Sequence, residues 1–177
     1  MDYFKIQGGL IIKNAIKNGL DTSRLVNLII CFDHPDNFKI KGFQFPPNLF
    51  FIHEISFNET VGILINEFKF DREKAISRVR EWRNEFRTTE IKRDEISEDY
   101  EKIVEKTNQE IVKEKGNNYK IGDNDIIIIA GFIKEKVNIV HVKDKGFEET
   151  CKRLGMNIIP TPKRDLEGEK EFKKSIK

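Results

Sequence analysis

Residues 137–160, VNIVHVKDKGFEETCKRLGMNIIP, leave few choices of fold. Val137 to Val142 is a short β-branched run between polar residues, which predicts a buried strand. Lys143-Asp144-Lys145-Gly146 makes the turn that follows. Phe147, Thr150, Cys151 and Leu154 then recur at i, i+3, i+4 and i+7, one face of a helix, and Gly155 stands where a helix C-cap belongs. Met156 to Ile159 is a second apolar run, stopped by Pro160 and Pro162. Strand, helix and strand in this little chain make a crossover unit and hence an α/β protein with parallel strands. Asp144 falls at the C-terminal end of a strand, the edge where open α/β sheets build their sites.

Upstream, Asp125 opens the run Ile126-Ile127-Ile128-Ile129-Ala130, 19 positions before Asp144. Four isoleucines in a row favour a strand locally. The crossover that must join two parallel strands favours a helix through residues 126–136, and tertiary context outweighs propensity. Together, the Asp125 to Ala130 run, the Lys143-Asp144-Lys145-Gly146-Phe147 turn and Cys151-Lys152-Arg153-Leu154-Gly155 resemble the C-terminal half of a PIN domain. That is the metal-dependent nuclease fold of toxin-type and rRNA-processing ribonucleases. In the family one acid opens a helix, and another follows a strand with a Phe three residues later. The resemblance implies a three-layer α/β/α sandwich with a mostly parallel central sheet. It spans roughly residues 20–160, so the chain divides into an N-terminal extension (1–19), a PIN-like domain (20–162) and a charged tail (163–177).

The N-terminal half supplies the other expected acids. Asp21-Thr22-Ser23 resembles the family's opening signature, although Ala15 to Gly19 is a poor central strand before it. Gln7, after Phe4-Lys5-Ile6, is the rival for that first position and would mean a lost acid. Asp21 also suits the plainer role of N-cap for the helix carrying Leu25, Leu28 and Ile29. Residues 33–47 carry turn chemistry throughout; His34 has no assigned role there, and Phe43 and Phe45 suit covering the core's edge more than stacking on bases. Leu49 to Ile52 predicts a strand, with Glu54 at its junction to a helix capped by Asn58, where the resemblance places the second acid. A helix from Asp71 carries Ala75, Val79 and Trp82 on its core stripe; Thr88 to Ile91 is a link; residues 94–115 form a charged helix with a solvated face.

Composition constrains the partners. Charged residues are 35% of the chain, yet the formal net charge is only +2, so any nucleic-acid contact must come from a local patch. The two cysteines, Cys31 and Cys151, match no metal spacing. No apolar run is long enough to cross a bilayer, so the expectation is a cytoplasmic protein without membrane contact.

By resemblance, Asp21, Glu54, Asp125 and Asp144 are the catalytic, metal-holding carboxylates. Asp123 is a further ligand or the helix N-cap, and Thr22 and Ser23 are supports that fix carboxylate geometry. Carboxylates at close quarters repel unless a cation intervenes, and oxygen-only ligands suit Mg²⁺ or Mn²⁺ rather than zinc. Such a site hydrolyses phosphodiesters. Lys143, Lys145 and Arg153 lie nearby in sequence to meet RNA phosphates, though surface solvation explains each taken singly. With 30 acids in the chain, four at strand ends is unremarkable by itself; order, flanking residues and spacing agreeing together carry the reading. The expected activity is endoribonucleolytic cleavage of single-stranded RNA, the alternative an inactive RNA- or protein-binding scaffold. The implied partners are RNA, an antitoxin or ribosome-biogenesis factor, and a second copy of the chain.

Overall fold

The computed structural model describes residues 3–6, 9–12, 16–32 and 48–161. Gln7, His34, Phe43, Phe45 and the tail 163–177 lie outside them, as does the side chain of Cys31. Two strands, β1 (Tyr3–Ile6) and β2 (Gly9–Ile12), pair antiparallel. Among the described residues the main sheet has five strands in the order β5-β4-β3-β6-β7, all parallel: β3 (Ile16–Leu20), β4 (Asn48–His53), β5 (Thr89–Ile91), β6 (Ile139–Val142) and β7 (Asn157–Pro160). Among the described residues six α-helices cover it: α1 (Thr22–Phe32), α2 (Glu54–Phe68), α3 (Arg72–Glu85), α4 (Glu98–Lys115), α5 (Asp123–Lys134) and α6 (Lys145–Arg153). This is the α/β/α sandwich expected from the sequence.

Alternation along β4 separates the two layers. Phe50 and Ile52 enter one core with Leu25, Leu28, Leu64, Val79 and Trp82 of α1, α2 and α3. Phe51 points the other way, into a core with Val104, Ile129, Phe132, Phe147 and Cys151 of α4, α5 and α6. Trp82 and Cys151 are fully buried, as their apolar stripes require. The isoleucine run is helical, as the crossover argument demands.

Three expectations need correction. The boundary at residue 19 cuts through β3, which is the central strand and not an extension. Its weak propensity is overridden by pairing on both sides, to β4 and β6. Gly19 is there because a Cβ would sit 2.8 Å from the Phe132 ring, so only glycine lets α5 pack so closely. Asn18 is tolerated because its Oδ1 meets His141 Nε2 at 3.0 Å. Thr89–Ile91, expected as a link, is the edge strand β5. Finally, α2 begins at once at Glu54 with His53 as N-cap, its ring nitrogen accepting from Ile55 N at 3.0 Å, and Asn58 lies inside the helix.

Candidate active site at the switch point of the sheet

The chain runs outward from β3 to β4 and β5, then returns to lay β6 on the other side of β3. The carboxyl ends of β3 and β6 therefore flank the point where strand order reverses, the usual place for a site in such sheets. Asp21 follows β3, and its N–H donates to the His141 carbonyl of β6 at 3.2 Å. Asp144 follows β6 and N-caps α6, accepting from Phe147 N at 2.8 Å. Asp125 sits in the first turn of α5, where its Oδ2 accepts from Gly122 N at 3.2 Å.

Asp21 is 9% exposed. Burial pushes its carboxyl up from 3.8 to about 6, against hydrogen bonds from Arg24 N–H, the Ser23 hydroxyl and Lys143 N–H, with the charge of Asp125 adding to the rise. Ser23 Oγ reaches both carboxylate oxygens, at 2.8 and 3.1 Å, and Arg24 N donates at 2.9 Å. Asp125 is raised as well, by burial first and then by the charges of Asp144 and Glu59, with the Gly122 bond opposing. The buried Cys151 thiol is pushed well up by burial and by the charges of Asp21 and Asp125, so it stays neutral.

Glu54 does not join this group. One oxygen accepts from Arg93 N at 2.8 Å and the other faces Lys92 Nζ at 3.6 Å. The acid that faces the site from α2 is Glu59, which accepts from Thr22 Oγ1 at 2.5 Å and Asn124 Nδ2 at 2.9 Å. The reason is where the helix starts. With α2 beginning at Glu54, residues 54 and 59 are turned about 140° apart around its axis. The missing signal was the start of α2, because His53 is not among the side chains that usually mark an N-cap. Thr22 thus supports Glu59, and Ser23 supports Asp21.

Asp123 is exposed at the first position of α5 and lines a separate cavity of about 620 Å³ against α4, with Lys113 and Lys120. Arg153 is tied to Glu114 of α4 by two bonds, 2.9 and 2.7 Å, so it acts as an interhelical strut rather than a cation held ready for RNA. Lys143 and Lys145 are exposed beside Asp144 and make no ion pair among the described residues.

The fold is PIN-domain-like. A solved structure similar to this chain is the crystal structure of VapBC2 from Rickettsia felis bound to a DNA fragment from their promoter. It has a TM-score of 0.57 and 19% identity, and the match covers 83% of this chain and 100% of that one. No family model and no curated protein matches the sequence. Among the described residues no helix is long and apolar enough to cross a membrane.

Proposed function

We propose that the chain is a Mg²⁺- or Mn²⁺-dependent endoribonuclease acting on single-stranded RNA. The observation that carries this reading is a buried Asp21 at the switch point, its carboxyl raised partly by Asp125, which in turn feels Asp144 and Glu59. Acids placed to repel one another out of water are costly unless a cation is meant to join them.

Among the described residues, no three His, Cys, Asp or Glu side chains stand close enough together to grip one ion directly. Mg²⁺ fits nonetheless, because it keeps several waters and takes only one or two carboxylates. Asp21, Asp125, Glu59 and Asp144 are the residues that would hold it. When bound, such an ion activates water and neutralises charge on the phosphoryl oxygens. The chain's own part is positioning. Ser23 and the Arg24 N–H fix Asp21; Thr22 and Asn124 fix Glu59; Lys143 and Lys145 bind and steer the polyanion. The likeness to VapBC2 supports a toxin-type ribonuclease held by an antitoxin.

The test is a labelled RNA pool incubated with purified protein, with Mn²⁺ or Mg²⁺ and with chelator. Asp21→Asn and Glu59→Gln should abolish cutting, and Glu54→Gln should retain it. Binding of RNA by every variant with no cutting by wild type would give the scaffold reading instead.

A further inference from the structure

On α4 the buried positions are Val104, Asn108 and Ile111, at i, i+4 and i+7. Asn108 is the polar member of that stripe and is 6% exposed. An asparagine facing the core is costly unless its carboxamide is bonded. Here Nδ2 donates to the Tyr119 carbonyl at 2.9 Å and to Thr150 Oγ1 at 3.0 Å, and Oδ1 accepts from Ile121 N at 3.3 Å. The Tyr119 carbonyl needs a donor and the Ile121 N–H needs an acceptor, so one orientation of the carboxamide serves both.

Each set of bonds leads to an acid of the candidate site. Tyr119 and Ile121 belong to the segment between α4 and α5. The next residue is Gly122, whose N–H donates to Asp125 Oδ2 at 3.2 Å. On the other side, Thr150 Oγ1 donates to the Gly146 carbonyl at 2.8 Å, in the first turn of α6. In that same turn Phe147 N donates to Asp144 Oδ1 at 2.8 Å. The two branches also touch, since a Cβ at Gly146 would stand 2.5 Å from the Tyr119 carbonyl oxygen. The ion pairs that join α4 to α6, Arg153 with Glu114 and Lys115 with Glu149, lie at the surface, where water and salt weaken them. Asn108 makes its link inside the protein.

We infer that Asn108 is a positioning residue that sets Asp125 against Asp144, and through them the affinity of the acid cluster for its cation. Leucine has the same shape and none of the bonds. Aspartate would turn a charge on the Tyr119 carbonyl, and glutamine is one methylene too long. Mg²⁺ demands near-ideal geometry, so a small displacement of either acid lowers affinity. The effect on the cation rests on the nuclease reading; the placement of the two acids does not.

Two readouts on the full chain test it. The first, in chelator, is hydrogen exchange of the Gly122 and Phe147 amides, each of which bonds one of the two carboxylates. The second is Mn²⁺ affinity by calorimetry. Asn108→Leu should speed both exchanges and weaken Mn²⁺ binding, each about tenfold. Thr150→Val keeps the shape and breaks the α6 branch, so it should speed Phe147 and not Gly122, with a smaller loss of Mn²⁺ affinity. Ile111→Ala, next on the same stripe, is the control. It should lower the melting temperature and leave both amides and Mn²⁺ affinity as in wild type. If Asn108→Leu does not fold, Thr150→Val decides: unchanged Phe147 exchange and Mn²⁺ affinity overturn the inference. If Asn108→Leu folds with both amides as in wild type, or Ile111→Ala matches its losses, Asn108 is a core residue and nothing more, and a wild type that cuts RNA keeps the nuclease reading. If wild type binds no Mn²⁺ and cuts no RNA while the two amides still depend on Asn108, the positioning stands and the nuclease reading fails.

Discussion

Asp21→Asn should make the metal-free protein more stable at neutral pH. The Asp21 carboxyl moves from 3.8 in the unfolded chain to about 6 in the fold. Below the first value both states hold the proton, and the group has no effect on stability. Between the two, the folded state keeps a proton that the unfolded state has lost. Stability therefore falls as pH rises through that window, and above about 6 the full penalty is present. Each pH unit of displacement is worth about 1.4 kcal/mol, which sets an upper bound of about 3 kcal/mol at pH 7.5. Asparagine removes the buried charge and can still accept from Arg24 N and donate to Ser23 Oγ, bonds that span 2.9 and 2.8 Å in the wild type. Weaker bonds to a neutral group return about 1 kcal/mol of that gain. For a chain of this length 1 kcal/mol moves the midpoint by about 2–4 °C. The expected rise is therefore about 4–8 °C at pH 7.5 in chelator, shrinking towards zero at pH 4. Thermal melts of both proteins across this range, followed by circular dichroism, measure it. A variant that melts at or below wild type at pH 7.5, or a difference that does not change with pH, would refute the buried-charge argument. A site that is costly in its empty form is the expected trade between stability and activity.

Millimolar Mg²⁺ or Mn²⁺ should raise the wild-type melting temperature, by about 2.7 kcal/mol at a hundredfold excess over Kd, and should leave Asp21→Asn nearly unmoved in the same melts. Lys145→Ala should weaken RNA binding and reduce the slope of log K against log salt by about 0.7, while Arg153→Ala, whose side chain is already tied to Glu114, should leave that slope unchanged in filter-binding titrations. Gly146→Ala should destabilise the fold by about 1–3 kcal/mol in urea unfolding, because the new Cβ would meet the Tyr119 carbonyl oxygen at 2.5 Å and a backbone atom cannot swing aside.

The C-terminal half was legible because its local signals and its tertiary role agree. The β6 strand, the Asp144 cap and the apolar stripe of α6 each follow from residue type and spacing. The α5 helix needed one non-local argument, that parallel strands require a crossover. Ile16–Leu20 resisted because what makes it a strand is not in its own residues. Its hydrogen bonds come from β4 and β6, and Gly19 matters only for what Phe132 does 113 positions later. The expectation that Glu54 is the second acid failed for a related reason. A helix of 3.6 residues per turn converts a small error in its start into the opposite face.

That sensitivity bears on the site itself. Asp21, Asp125 and Asp144 are each fixed by a backbone bond at an element's edge, from Arg24 N, Gly122 N and Phe147 N. Their positions follow from where strands end and helices begin, which local sequence specifies well. Among the described residues, Glu59 is held by side chains alone, Thr22 and Asn124, from two other elements. Its orientation therefore depends on α1, α2 and α5 being assembled. Among the four acids it is the one whose role should be most sensitive to changes outside the site. Thr22→Val, which keeps the shape but removes the hydroxyl, should lower cleavage with little change in stability. The same substitution at Thr107, whose hydroxyl bonds Ile103 O of its own helix, should leave cleavage alone. Equal cleavage by both variants would show that Glu59 needs no such support.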